Sequence, residues 1–362
     1  MGCDCELLKM IKWLVFMASF LLHGIEANES LSQKEHVYTL PSYTFRNGEK
    51  LTNTKLHYAT LGTPQKDATG RITNAILILH WTGADGAHML TDEFKSTLYA
   101  SGKPFDANKY YLIFPDSIGH GQSSKPSDGL KAHFPSYVYL DMVDLQYKLV
   151  TEALGIAHLK YILGTSMGGM HTWLWSILHP TFMDGIMPIV CLPEKVKGRN
   201  LLWRQLVVKA IRNDPSWQNG QYAKQPYGLL ASWPFARMLL DGVPHMQSIV
   251  FDEDSAAAFI DKSLDETKTK DANDLIYVLE ASKDYNPEPS LDKIQAKVFA
   301  LDFTDDQFDP IELHTLNRLI KQVKNSRVVI QQGTDQSFGH LTMAHPHLWS
   351  QQVLEFIRFV EE

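Results

Sequence analysis

The sequence predicts an α/β fold: a mostly parallel central sheet with helices on both faces and an inserted helical lid. Two observations indicate this class. Short apolar runs of strand length alternate with longer stretches of helical periodicity over most of the 362 residues. A strongly helical segment then interrupts the alternation, which resumes before the C-terminus. Strands separated by helices pair in parallel, so the alternation predicts one sheet.

The elements are expected in a definite order along the chain. Residues 37–61 predict an antiparallel hairpin, because Asn47-Gly48 is a strong turn signal between two extended runs. Gly155 is expected to cap the helix that precedes it. Further strands are expected at 75–79, 111–114, 159–163, 297–301 and 327–330, and helices at 141–154, 169–179 and 346–360.

The N-terminus predicts an export signal. Lys9 and Lys12 precede an apolar run at 13–22, which is too short to span a bilayer but suits the core of a signal peptide. We expect cleavage after Ala27 and export to the periplasm or the medium; an uncleaved N-terminal anchor is the alternative. After cleavage Cys191 would be the one remaining cysteine, so no internal disulfide is expected. The predicted segments are the signal peptide at 1–27, the first part of the core at 28–192, the lid at 193–281 and the second part of the core at 282–362.

Composition indicates a globular protein of one large domain with an inserted subdomain, since 44% of the residues are hydrophobic and 21% are charged. The formal net charge is −7 and the chain has no extended Lys/Arg run. Both features argue against a nucleic-acid partner, which would require a basic patch. No stable membrane insertion is expected once the signal is removed.

Gly164-Thr165-Ser166-Met167-Gly168 stands between an apolar strand-like run and a helical run. This context resembles the nucleophile elbow of α/β-hydrolases, in which the serine occupies a strained turn and the glycines let strand and helix pack closely. Ser166 is therefore the predicted nucleophile.

A serine hydroxyl needs a histidine base and an acid that orients the histidine, which in α/β-hydrolases follow in the order Ser, acid, His. Asp305 follows the predicted strand at 297–301 and is the expected acid, with Asp306 and Asp309 as alternatives. His340 follows the last strand and is the expected base.

An acyl-transfer site also needs backbone donors that stabilise an oxyanion. Met167 follows the nucleophile and supplies the first N–H. The second is expected from the loop after the strand at 75–79, where counting from His80 points to Thr82, with Trp81 as the alternative.

Neither a metal nor a cofactor is expected. A metal site made of His340, His345 and His347 is disfavoured, because their spacing matches no usual zinc pattern and no carboxylate or cysteine supports it. In the lid, Trp203, Trp217, Trp233 and Phe235 could line a substrate pocket, although each is more readily explained as subdomain core.

Several motifs together resemble the homoserine O-acetyltransferase-like branch of the α/β-hydrolase superfamily. They are Leu61-Gly62-Thr63, the loop His80-Trp81-Thr82-Gly83, Ser166-Met167-Gly168-Gly169-Met170, Thr304-Asp305 with Phe308 and Pro310, and Gly339-His340. The resemblance covers roughly residues 37–362, is weakest at 195–280, and implies Ser166, Asp305 and His340 as the catalytic triad.

Two departures from that branch concern the substrate. Its acetyltransferases carry a Gly-Gly-Cys-x-Gly-Ser-Thr-Gly-Pro segment where this chain has residues 118–124, and an Asp directly after the histidine where this chain has Leu341. We therefore expect a serine-dependent ester hydrolase acting on a small-molecule ester or acyl substrate, alone or as a homodimer. An O-acyltransferase with an acetyl-CoA donor and an alcohol acceptor is the alternative. A non-catalytic binding protein is a third hypothesis, against which the complete Ser/Asp/His set argues.

Overall fold

An eight-stranded sheet forms the centre of the protein in a computed structural model, which describes residues 31–362. The predicted signal peptide, 1–27, lies outside the described residues. Along the sheet the strands lie in the order β1-β2-β4-β3-β5-β6-β7-β8. They are β1 (Lys34–Thr44), β2 (Lys50–Leu61), β3 (Ala75–Leu79), β4 (Tyr111–Pro115), β5 (Leu159–Thr165), β6 (Met183–Ile189), β7 (Lys297–Phe303) and β8 (Ser326–Gln331).

The helices alternate with the strands and fill one long interval between β6 and β7. They are α1 (Asp92–Phe94), α2 (Tyr139–Lys148), α3 (Met167–Leu178), α4 (Gly198–Arg212), α5 (Tyr227–Leu240), α6 (Val243–Ile249), α7 (Glu253–Thr267), α8 (Ala272–Glu280), α9 (Thr315–Leu319) and α10 (Ser350–Glu361). A π-helical turn, Leu149–Ala153, extends α2.

The sheet is antiparallel at one edge and parallel elsewhere. β1 pairs with β2 and β2 with β4 in antiparallel fashion, and the remaining neighbours are parallel. The predicted hairpin is present, and Gly48 adopts a φ of 88° at its turn. Because parallel strands end at the same edge of a sheet, the loops after β3, β5, β7 and β8 meet there. This edge carries the candidate site.

The core lies against both faces of the sheet. β3 is buried along its whole length, as expected of a parallel strand covered by helices on both sides. Behind the elbow, Trp173 and Trp175 of α3 are fully buried. Residues Gln33–Glu362 form one compact unit, and none of the helices within the described part of the chain is both long and apolar enough to cross a membrane.

The interval between β6 and β7 is helical, as the sequence predicts for its lid. Helices α4 to α8 occupy it, and α4, α5 and α8 share a core of their own, which includes Trp203 and Trp233 at 7% exposure each. Trp217 is partly buried against this core, whereas Phe235 is 58% exposed. Trp203 and Trp233 are therefore core residues of the lid, and Phe235 lies on its surface.

Candidate active site

Ser166 occupies a strained turn between β5 and α3. Its φ of 49° and ψ of −111° lie outside the conformations that L-residues favour. Only glycine fits at positions 164 and 168. A Cβ on Gly164 would lie 2.2 Å from Gly168 O, and a Cβ on Gly168 would lie 2.3 Å from Leu79 O. This is the steric arrangement of a nucleophile elbow.

His340 lies between Ser166 and a carboxylate. Its Nε2 is 2.9 Å from Ser166 Oγ, and its Nδ1 is 2.6 Å from Asp306 Oδ2. The other Asp306 oxygen accepts a hydrogen bond from Phe308 N at 2.8 Å, so the carboxylate is held on both sides. All three residues are buried, with Ser166 6% exposed, His340 4% and Asp306 3%. The structure thus forms a Ser–His–Asp triad.

The acid of this triad is Asp306, and the expectation of Asp305 is wrong by one position. Asp305 points the other way: its Oδ2 accepts hydrogen bonds from Ser337 Oγ at 2.7 Å and from Gly339 N at 3.1 Å. The reason is geometric, since consecutive residues in the turn after β7 direct their side chains to opposite sides. Asp305 anchors the loop that carries His340, while Asp306 contacts the imidazole itself.

Two further carboxyl groups lie behind Asp306. Atoms of Asp302, Asp306 and Asp309 approach within 4.8 Å of one another, and all three side chains are buried. Burial and mutual repulsion raise the pKa of Asp302 and that of Asp309 well above their usual range. The buried site therefore favours the neutral forms of Asp302 and Asp309 over their charged forms. Asp309, one of the alternatives, does not contact His340.

The predicted oxyanion donors lie at the same edge of the sheet. Met167 is the first residue of α3, where a helix leaves its N–H groups without intrahelical partners. In the parallel pairing of β3 with β5, Leu79 lies opposite Gly164, so the loop after β3 starts at the same edge of the sheet as the Ser166 turn. Met167 directly follows the nucleophile, and Trp81 and Thr82 stay predictions for the second donor. Either loop residue could supply the second donor.

Two neutral histidines brace this loop. His80 donates from Nδ1 to Trp81 O at 2.9 Å and accepts at Nε2 from Ser117 N at 3.1 Å, while His120 Nε2 lies 3.0 Å from Thr82 O. Burial lowers the pKa of His80 to about 4 and that of His120 to about 3. Because both stay uncharged at neutral pH, they hold the loop without adding a charge to the site.

The lid covers the triad from the other side. Trp203 of α4 stacks on Phe308, with ring centroids 5.6 Å apart and an angle of 10° between the planes. Phe308 in turn lies edge-on to the His340 ring at 5.0 Å. These contacts join the lid to the catalytic imidazole.

Two groups of side chains in the described residues could in principle hold a metal ion. One is the buried cluster of Asp302, Asp306 and Asp309. The other is Glu93 with His345 and His347, whose Nδ1 atoms lie 3.6 and 2.5 Å from the Glu93 carboxylate. His340 faces the nucleophile instead, so the set of His340, His345 and His347 does not assemble.

Comparison with known proteins identifies the family. A family model described as "alpha/beta hydrolase fold" matches residues 75–339, which is most of the chain. The protein belongs to this family, and its fold and site define a serine-dependent acyl-transfer enzyme. This agrees with the class that the elbow and the strand order predict.

The relatives include both acyltransferases and esterases. A "probable acyltransferase" of Methanothermobacter thermautotrophicus is 24% identical over 328 residues, which covers 88% of this chain and 96% of that protein. A homoserine O-acetyltransferase of Haemophilus influenzae is 29% identical over 325 residues, covering 77% of this chain and 86% of the relative. Among solved structures, esterase E22 has a TM-score of 0.76 at 20% identity, with 90% of this chain and 100% of E22 covered.

Proposed function

We propose that this protein is a carboxylic ester hydrolase that works through an acyl-enzyme on Ser166, with water as the acceptor. The observation that carries the proposal is the chain of contacts from Asp306 through His340 to Ser166. The contacts need no rearrangement for proton transfer, because each donor already lies within hydrogen-bond distance of its acceptor.

The steps follow from these contacts. Ser166 Oγ attacks the ester carbonyl while His340 Nε2 takes its proton, and Asp306 stabilises the imidazolium. The tetrahedral oxyanion accepts hydrogen bonds from Met167 N–H and from the loop at Trp81 or Thr82. His340 then gives the proton to the leaving alkoxide, and the alcohol departs. Water, deprotonated by His340, attacks the acyl-enzyme and releases the acid, which returns Ser166 to its starting state.

Leu341 favours water over an amino alcohol as the acceptor. The sequence resemblance places a carboxylate directly after the histidine in homoserine acetyltransferases, and this chain has a half-buried leucine there. Without that negative charge an ammonium group entering the site would be buried unpaired, which is costly.

The test uses short-chain p-nitrophenyl esters without an added acceptor. Wild-type protein is expected to release stoichiometric acid, and Ser166→Ala to lose at least about 10³-fold in kcat/KM. Ser176→Ala is the matched control, since Ser176 lies on the same helix and its hydroxyl donates to Trp173 O at 2.9 Å. If Ser166→Ala keeps more than a few per cent of the activity, the proposal is wrong.

A second candidate is an O-acyltransferase, which the names of the relatives favour. It would share the acyl-enzyme and differ only in the acceptor. We expect no saturable O-acetylhomoserine formation from acetyl-CoA and about 1 mM homoserine, a usual upper range for KM. Formation of that product, detected by mass spectrometry and lost in Ser166→Ala, would replace hydrolysis with transfer.

We further propose export through the N-terminal segment, on the strength of the apolar run at 13–22 behind two lysines. Export would separate the enzyme from acetyl-CoA, a cytoplasmic donor, and so favours hydrolysis. The intact mass of the protein recovered from the exported fraction tests this: a chain beginning at Asn28 is expected, and a full-length chain retained in the cell would contradict it.

A further inference from the structure

Glu93, His345 and His347 bring three possible metal ligands together at the surface of the protein. Glu93 Oε2 lies 3.6 Å from His345 Nδ1, and Glu93 Oε1 lies 2.5 Å from His347 Nδ1. One ligand atom of each residue lies within 4.8 Å of those of the other two. Two ligand atoms that share one zinc ion, each about 2.0–2.2 Å from it, are separated by at most about 4.4 Å. Small movements of the side chains therefore close the set around a single ion.

The two segments that supply these ligands already pack against each other. Glu93 lies in α1, and His347 lies just before Trp349. The ring of Phe94, which follows Glu93, lies edge-on to the Trp349 ring with centroids 6.2 Å apart, and both rings are buried. These buried contacts fix the backbone beside the cluster, so the ligands need no refolding to meet an ion.

The cluster is held on one side and open to solvent on the other. The His345 ring stacks on Phe338, with centroids 4.2 Å apart and an angle of 27° between the planes, which orients the imidazole. The side chains of Glu93, His345 and His347 are 38%, 33% and 56% exposed. His347 also lines an open surface cleft together with Ser350. An ion can therefore enter from solvent, and a water molecule can complete its coordination.

The donor set suits zinc. Two imidazoles and one carboxylate, with a fourth position for water, bind Zn²⁺ in tetrahedral geometry, whereas Mg²⁺ and Ca²⁺ prefer oxygen ligands throughout. The pattern His345-Pro346-His347 shows no carboxylate partner in the sequence, because Glu93 lies 254 residues before His347. The fold supplies that partner.

We propose that Glu93, His345 and His347 bind a zinc ion, which holds the turn that carries His340 against α1. His345 directly follows this 3-10 turn, Gly339–Ala344, so an ion on His345 restrains the end of the turn. Zinc would take the place of the proton between His347 and Glu93, and that proton would pass to the solvent. The site is independent of the proposed function, since none of the three ligands belongs to the triad.

A titration of the metal-free protein tests the site. The full chain, freed of any histidine tag and treated with EDTA, is titrated with ZnCl₂ in a calorimeter. Zinc at about 100 times its Kd should raise the melting temperature by about 3 °C or more, because it binds the folded chain in preference to the unfolded one. MgCl₂ should neither bind nor stabilise. No zinc binding, or equal binding of magnesium, would overturn the inference.

Variants locate the ion. Partners behind metal ligands often contribute tenfold or more to affinity, so loss of a ligand in Glu93→Gln or His347→Ala should weaken zinc binding by at least about tenfold. His158→Ala is the matched control, because His158 also pairs with a carboxylate, Asp184, at 2.8 Å, and it should keep the wild-type affinity. Circular dichroism without zinc establishes that the variants fold. Wild-type affinity in both ligand variants would place the ion elsewhere and contradict the site.

Two measurements on the wild-type protein need no variant. X-ray absorption at the zinc edge should show nitrogen and oxygen ligands at about 2.0–2.1 Å, and sulfur at about 2.3 Å would place the ion on a cysteine instead. Zinc should also slow amide hydrogen exchange in peptides that cover residues 91–95 and 339–348. Unchanged exchange in both peptides would show that zinc does not hold the turn of His340 against α1.

Discussion

Asp306 Oδ2 accepts a hydrogen bond from His340 Nδ1 at 2.6 Å inside a buried turn. The contact fixes the tautomer in which Nε2 is free to accept the Ser166 proton. The adjacent Asp305 instead accepts bonds from Ser337 and Gly339, so it holds the loop on which His340 stands. Asp306 thus orients the imidazole of His340, whereas Asp305 stabilises the loop that carries His340.

The first prediction separates these tasks. Asp306→Asn should lower kcat by about 10³- to 10⁴-fold with little change in KM, because an amide favours the wrong imidazole tautomer. Asp305→Asn should keep most of kcat and lower the melting temperature, since it weakens the loop contacts. Steady-state kinetics and thermal melts on both variants check this. Equal losses of kcat would mean that both carboxylates orient the imidazole.

The second prediction concerns pH and Asp309. Burial and the neighbouring Asp306 raise the pKa of Asp309 in the folded protein. At pH values above the ordinary pKa range of aspartate, the unfolded chain has therefore released this proton while the folded chain still holds it. The stability that this group contributes is fully present below the pKa of Asp309 in the unfolded chain. It is lost as the pH rises toward the pKa of Asp309 in the folded protein. Asp309→Asn cannot ionise and should therefore melt at least about 2 °C above wild type at pH 8.

The difference between Asp309→Asn and wild type should shrink toward pH 4, where both chains carry a neutral side chain at this position. Melting curves from pH 4 to pH 9 give the comparison. A constant offset at every pH would show that Asp309 does not hold a proton in the folded protein.

The third prediction tests the elbow. In Gly168→Ala the new methyl would lie 2.3 Å from Leu79 O, so α3 must move away from β3. We expect a loss of about 1–3 kcal/mol in the free energy of unfolding and about 10²-fold in kcat/KM, because Ser166 moves with the helix. Gly83→Ala is the control for stability, since a Cβ there has no heavy atom within 4 Å. Wild-type stability and activity in Gly168→Ala would contradict the close packing of the elbow.

The fourth prediction concerns the contact between lid and triad. Trp203→Ala removes a ring that is 7% exposed and stacks on Phe308. The free energy of unfolding of the lid should fall by about 3–5 kcal/mol, and kcat should fall as Phe308 loosens against His340. Tyr227→Ala, a change at a 77% exposed site on the next helix, should alter neither quantity. Urea unfolding monitored by fluorescence, with kinetics in parallel, makes the measurement.

The fold class, the strands that lead to the site, the nucleophile Ser166 and its base His340 could all be predicted from the order of the residues. These are local properties. Apolar periodicity marks a strand wherever it lies, and a serine between glycines at a strand-to-helix junction is typical of a nucleophile elbow. The observed bounds of β3 coincide with the predicted 75–79, and those of β5, β7 and β8 exceed the predictions by one or two residues at their ends.

Only the folded structure distinguishes Asp306 from Asp305 as the acid of the triad. The two are adjacent aspartates in the sequence, but in the turn their side chains point to opposite sides. The contact between Trp203 and Phe308 required the folded structure too, since the two residues come from distant parts of the chain. A tryptophan on a helix looks the same in sequence whatever it packs against. What surrounds a side chain depends on how the lid packs against the loops of the sheet, and that packing is a property of the whole chain.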